Sequence, residues 1–150
     1  IDCYEDVCDR YGNFLNVHKY GKPIAKQRHD REAVRTAALS GSRKFFFISD
    51  NAHHPKTNKE IFNYAGRFNA LTNIAYLYEF FEEHDAEEKF EPFTSGYGAL
   101  RYNFPQNTGT IKLRRENWFV PKLYNGLAPD LAGRLMKWKV VGQNINQSSD

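Results

Sequence analysis

Residues 58–84 read NKEIFNYAGRFNALTNIAYLYEFFEEH, a stretch with no proline and with apolar residues at Ile61, Ala65, Phe68, Leu71, Ala75 and Tyr78. That spacing marks one face of a helix, so the pattern predicts a single long helix over about 58–84. Its second half, residues 74–81, is apolar nearly all round, which requires enclosure on several sides or a subunit contact. Gly66 and Ala70 stand four apart and would give a flat strip for close packing against another backbone, the reason to accept a glycine that costs roughly 0.5–1 kcal/mol inside a helix. The stretch then runs into Glu82, Glu83, Asp85, Glu87 and Glu88, at the end of a helix where the macrodipole is already negative. Local physics asks for a cation nearby, and Arg114, Arg115 or the basic residues between 26 and 35 are the candidates.

Working back from this helix, residues 45–48 (Phe-Phe-Phe-Ile) are a continuous apolar run of strand length, ended by Asp50 and Asn51. Continuity predicts a central strand over 43–49, buried on both faces. Before it, Asp30 looks like a helix cap, with Glu32 in the first turn, a stripe of Ala33, Val34, Ala37, Ala38 and Leu39, and Gly41 where a left-handed C-cap is wanted. Alternation around Phe14, Leu15, Val17 and Tyr20 predicts a strand near 13–20, turning at Gly21-Lys22-Pro23. Beyond the long helix, residues 96–104 and 110–120 read as strands joined through Pro105 and Gly109, with a third stretch at 136–141. Leu127 to Leu135 has room for a helical turn opened by Pro129. The expected fold class is therefore α+β: one domain over residues 1–142, a long central helix packed on a mainly antiparallel sheet, and a polar tail at 143–150.

Composition agrees with one core. The chain has 150 residues, 41% apolar and 15% aromatic, enough for one domain and short for two. Twelve Phe, nine Tyr and two Trp against one Met imply an interior of large, well-defined rings. No apolar run reaches the roughly 18–20 residues needed to span a bilayer. The chain starts at Ile1 rather than Met, which fits a processed, secreted chain or a piece of a longer one. Cys3 and Cys8 are the only cysteines; a disulfide between them suits secretion, and two reduced, half-buried thiols are the alternative. Asn146-Gln147-Ser148 matches a glycosylation acceptor.

Charge is sorted along the chain. Residues 17–44 hold eight Lys/Arg against Asp30 and Glu32, residues 101–139 hold eight against Glu116 and Asp130, and residues 79–91 hold seven carboxylates against Lys89. Arg28, Arg31 and Arg35 step along one helix side. Arg101, Lys112, Arg114 and Arg115 alternate with Tyr102, Trp118 and Phe119, a pattern that grips phosphates and stacks bases. These seven cations are the expected contact for an anionic partner, either an acidic protein or a nucleic acid. His53 and His54, after Asp50, are the one spot that suggests catalysis, and His18 and His29 could each pair with a carboxylate for acid–base work. A strand, a His-bearing loop and a helix resemble, in order alone, small metal-dependent nucleases of the ββα type, although a second strand with a fitting Asn or His is missing. No phosphate loop and no Gly-x-Ser-x-Gly elbow is present, and no cofactor or metal site is expected. The leading reading is a non-enzymatic binding or assembly protein with a basic, aromatic-rich face. A hydrolase or nuclease using His53 or His54 is the second reading, and a self-assembling structural subunit, hence a homo-oligomer, is the third.

Overall fold

The computed structural model of the chain describes residues 2–144. The glycosylation match at 146–148 and all but Gln143 and Asn144 of the expected tail lie outside the described residues; those two close the last strand. In chain order the elements are α1 (Arg28–Leu39), α2 (Lys56–Phe62), α3 (Asn73–Glu82), α4 (Tyr97–Tyr102), β1 (Thr110–Phe119) and β2 (Leu135–Asn144), with short 3-10 turns at Tyr4–Asp6, Val17–Lys19 and Glu87–Lys89. The chain divides into two compact units, each drawn from separated stretches: Ile1–Ala37, Ser49–Asn73 and Phe119–Arg134 form the first, and Ala38–Ile48, Ile74–Trp118 and Leu135–Asp150 the second.

In the first unit, Val7, Cys8, Phe68, Val120, Ala128 and Leu131 are buried together with Thr72 and Asp130. The segment expected as a strand at 13–20 is instead an isolated bridge between Cys8 and Phe14, followed by the turn Val17–Lys19 capped by the Asn16 carboxamide. Cys3 and Cys8 are buried free thiols, so the pair is reduced and not the disulfide that their spacing would also allow. The Cys3 Sγ donates to Asp6 Oδ2 at 3.2 Å, and burial raises its pKa. α1 begins two residues before Asp30, whose carboxylate reaches back to accept from the Gln27 backbone N–H at 3.1 Å. Residues 127–134 make a bridge and turns but no helix, and Leu135 opens β2.

In place of one long helix over 58–84 the structure has α2 and α3, parted by non-helical residues 63–72. Asn63 ends α2 in the left-handed region at φ 54°, a conformation Asn accepts at small cost. Gly66 lies at φ 140°, and a Cβ there would stand 2.0 Å from the Ala52 carbonyl oxygen. The glycine is therefore a site of backbone-to-backbone approach, not a gap on a helix face. The helical spacing of residues 61–78 runs across this break, and Ile61 and Phe62 point outward.

In the second unit, α3 carries Ala75, Leu77, Phe80 and Phe81 into a core shared with Ala86, Phe93 and Met136. Phe81 packs on Phe90 and Phe93, and Tyr78 packs edge-on against Trp138 at 4.9 Å. The buried Glu79 carboxylate accepts the backbone N–H of Lys137 at 2.5 Å and of Trp138 at 3.1 Å, which ties α3 to β2. β1 and β2 form a two-stranded sheet, and the Gly133 backbone N–H donates to Val120 O at 2.9 Å where the connection between the strands begins and ends. The stretch 96–104, expected as a strand, is helical as far as Tyr102: a π-turn at Pro92–Gly96 leads into α4. Residues 43–49 are not a central strand. Phe45 and Ile48 are exposed, and the only ladder-like bond runs from Phe47 N to Phe93 O at 2.9 Å, because no second strand lies alongside among the described residues. Among them, no helix is long and apolar enough to cross a membrane.

Candidate functional site

The residues 49–54 form a loop whose shape is set by what it is bonded to. Asp50 adopts φ 41°, a left-handed turn that Asp tolerates because its short side chain avoids the usual Cβ clash. Asn69 clamps both sides of that turn: its Nδ2 donates to Ser49 O at 2.8 Å, and its backbone N–H donates to Asn51 Oδ1 at 3.1 Å. Asn69 Oδ1 is left buried with no partner among the described residues. An orphaned acceptor costs about 1–3 kcal/mol, so the amide is posed for the loop and not for its own satisfaction. Ala52 N donates to Arg67 O at 3.1 Å, beside the close approach of Gly66 to the Ala52 carbonyl. The loop thus lies on the 65–69 backbone with no slack.

This frame fixes the two histidines differently. His54 Nε2 lies 3.1 Å from Ala65 O, a carbonyl that can only accept, so Nε2 carries the proton and Nδ1 is left as acceptor. The ring meets Tyr64 edge-on at 5.3 Å and is half-buried. His53 is the same tautomer held through its other nitrogen: Asn51 Nδ2 donates to its Nδ1 at 3.4 Å, which leaves Nε2–H as a donor on an exposed ring backed by Phe68. The Asp50 carboxylate is exposed and makes no hydrogen bond or ion pair among the described residues. One loop therefore offers an unengaged carboxylate acceptor and an N–H donor a few residues apart on a rigid support. That combination can receive a proton and steady a developing negative oxygen.

Beneath the loop lies a buried charge network. The Arg67 guanidinium binds Asp130 Oδ2 at 2.5 Å and Asp2 Oδ2 at 2.6 Å, and Lys19 Nζ binds Asp2 Oδ1 at 2.9 Å. Burial works to raise the Asp2 pKa, but the charge of Arg67 and the hydrogen bond and charge of Lys19 outweigh it, lowering the value to about 2. For Asp130 the balance goes the other way, and burial raises its pKa against the same guanidinium. Lys59, on α2, is 2% exposed, and its ammonium donates to Tyr20 O at 3.2 Å, to Tyr64 O at 3.0 Å and to Gly66 O. Burial lowers its pKa to about 8, with the charge of Arg67 adding to the fall and Asp130 opposing it. Among the described residues no group of three or more His, Cys, Asp or Glu could hold a metal ion.

Of the sequence-derived candidates, Asp50, His53 and His54 share this loop. The seven cations expected to bind an anionic partner are spread over α1, α4 and β1, and several are engaged with carboxylates of the chain itself. Arg31 and Arg35 bond Glu32, Arg114 bonds Glu116, and Arg115 bonds Glu82 and stacks 5.2 Å over the Trp138 ring. Arg28, Arg101 and Lys112 are exposed. The acidic residues after α3 find the expected compensation in part, through Arg115 on Glu82 and Lys137 on Glu83. Sequence reasoning missed Asn69, Arg67 and Lys59. Their work is done across turns that a helical pattern hides, and Gly66 was the one visible signal.

No family model matches the chain. Among curated proteins it is similar to the dihydroorotase of Synechococcus sp. (strain CC9605), 41% identical over 123 residues, covering 81% of this chain and 35% of the relative. It is also similar to the dihydroorotase of Idiomarina loihiensis, 38% identical over 133 residues, covering 85% and 39%. Among solved structures, a dihydroorotase from Campylobacter jejuni superposes with a TM-score of 0.81 at 32% identity, over 95% of this chain and 42% of that one. The Saccharomyces cerevisiae dihydroorotase in complex with 5-fluoroorotic acid gives 0.79 at 30% identity, over 85% and 38%. The chain spans well under half the length of each. These likenesses overturn the reading of the chain as a non-enzymatic binding, assembly or structural protein, and with it the nucleic-acid-binding and nuclease readings. Every one of these relatives bears the name of one small-molecule enzyme.

Proposed function

We propose that this chain is a segment of a dihydroorotase and that the loop 49–54 belongs to its active site. The observation that carries the reading is the double likeness: about two residues in five shared with the curated relatives, and TM-scores near 0.8 with two solved dihydroorotases. The loop fits that chemistry. Dihydroorotate is a cyclic amide bearing a carboxylate, and opening or closing its ring needs a proton acceptor for the attacking group and donors for the substrate's oxygens. Asp50 supplies the acceptor. His53 Nε2–H supplies a donor, and His54 Nδ1 an acceptor for a ring N–H. Remaining parts of the site come from the portion of such an enzyme that this chain does not span.

The test is an assay of the full-length protein for ring opening of dihydroorotate, followed by Asp50→Asn. Turnover by the unaltered protein, with kcat lowered at least about 100-fold in Asp50→Asn at unchanged melting temperature, is the expected result for a positioned acid–base group. Absence of turnover by the unaltered, folded protein rejects the reading. Turnover undiminished by Asp50→Asn removes the loop from the chemistry.

A further inference from the structure

We propose that Lys59 is a positioning residue for this site, its ammonium binding three backbone carbonyls into the frame that holds His54 and the 49–54 loop in place; the inference rests on the reading of the loop as catalytic. The geometry is specific. Lys59 projects from α2 and is 2% exposed, and among the described residues it makes no ion pair. Its three donors are all spent on carbonyls, those of Tyr20, Tyr64 and Gly66. An ammonium has three N–H groups and no acceptor, so the match is complete.

Those carbonyls are not incidental to the loop. Tyr64 and Gly66 flank Ala65, whose carbonyl takes the proton-bearing Nε2 of His54. Tyr20 O receives both Lys59 Nζ and the Gly66 backbone N–H, the latter at 2.9 Å. Gly66 in turn presses on the Ala52 carbonyl and lies next to the His54 ring, whose Cδ2 a Cβ at 66 would meet at 3.1 Å. Carbonyl dipoles at 64 and 66, turned toward one point, repel each other unless a cation sits between them. Removing the cation frees the 64–66 backbone to rotate, and the His54 hydrogen bond and the Ala52 contact move with it. A displacement of about 1 Å at reacting groups can cost 100-fold in rate.

Burial makes the same ammonium release its proton more easily than an exposed lysine, at about pH 8. The charged groups that act on it are Arg67, which favours release, and Asp130, which opposes it; Asp2 and Lys19 are bound into the same network through Arg67. A neutral amine has two N–H groups, so one of the three carbonyls then loses its donor.

Two measurements test this. In the full-length protein, Lys59→Met should lower kcat for dihydroorotate about 10- to 100-fold with KM changed less than about 3-fold, since substrate-contacting groups are intact but misplaced. In parallel, nitrogen-detected NMR of the histidine rings should show the His54 Nε2–H tautomer in the unaltered protein and its loss in Lys59→Met. The NMR arm needs no turnover, so it stands if the dihydroorotase reading fails. Should Lys59→Met not fold, a titration of the unaltered protein from pH 7 to 10.5 decides the matter, because the His54 ring signals should change together with those of Lys59 Nζ. Unchanged kcat and an unchanged His54 tautomer in the variant, or His54 signals that stay fixed across that titration, would overturn the proposal.

Discussion

Asp2 and Asp130 share the guanidinium of Arg67, and the sharing is unequal because Lys19 bonds Asp2 directly and reaches Asp130 only through its charge. The Asp2 pKa falls from 3.8 to about 2, so in acid the unfolded chain takes up this proton before the folded one does. The resulting stabilisation is fully present above about pH 4 and is lost as pH falls from there to 2, and a shift of that size corresponds to about 2 kcal/mol. Asp2→Asn should therefore be less stable than the unaltered protein at pH 6 and should show a flatter fall in stability between pH 4 and 2. Urea unfolding at a series of pH values measures both. Gly66 makes a second prediction at this scale. A Cβ at that position would overlap the Ala52 carbonyl and sit at φ 140°, so Gly66→Ala should cost on the order of 3 kcal/mol and disturb the His53 and His54 resonances. The unpartnered Asp50 carboxylate and the two histidines were legible from sequence as a group, because three chemistry-bearing residues stood within five positions after an apolar run. Lys59 was not, since nothing in a sequence marks a lysine whose partners are carbonyls at residues 20, 64 and 66.

At the scale of elements, the sequence was readable where pattern and packing shared one cause. β1 and β2 were visible at 110–120 and 136–141 because β-branched and aromatic residues gather in both stretches, and the two strands pair although residues 120–134 lie between them. α1 was visible through Asp30, which lies in its first turn and not at its cap, and through the glycine at φ 71° that follows it. The failures share a different cause. Residues 61–78 keep helical spacing through a break that Asn63 and Gly66 impose by backbone conformation, and residues 96–102 keep an apolar content suited to a strand yet coil because Pro92 opens a π-turn that runs into α4. Apolar run and strand also part company at 45–48, where an extended segment has no neighbour to pair with among the described residues. The α3–β2 junction offers a test at this scale. Glu79 satisfies two backbone donors of β2 from a buried position, so Glu79→Ala should leave both unpaired at about 1–3 kcal/mol each. Hydrogen exchange at the Lys137 and Trp138 amides should accelerate in that variant, with little change at residues 3–8.

For the molecule as a whole, the decisive quantity is the apolar surface that its own elements leave uncovered. Ile48, Ile61, Phe62, Phe104 and Phe119 are each 62–70% exposed, and they come from a loop, a helix, a connection and a strand. Scattered singly, exposed apolar residues are ordinary; where several large ones adjoin, they mark a surface made for contact. The charge sorting that first pointed to an anionic partner has a more local account, since Arg31, Arg35, Arg114, Arg115 and Lys137 are paired with carboxylates of the chain itself. Apolar contact, rather than phosphate binding, is then the unspent capacity of this surface. If the chain is a segment of a dihydroorotase, the 58–65% of the relatives' length that it does not span contains the matching faces. Produced by itself, the chain should bind a hydrophobic dye strongly and self-associate as its concentration rises, whereas the full-length protein should do neither. Dye fluorescence and light scattering on the two proteins, at matched molar concentration, measure the difference. Equal and low dye binding would mean that the exposed rings are ordinary surface and that the chain closes its own core without help.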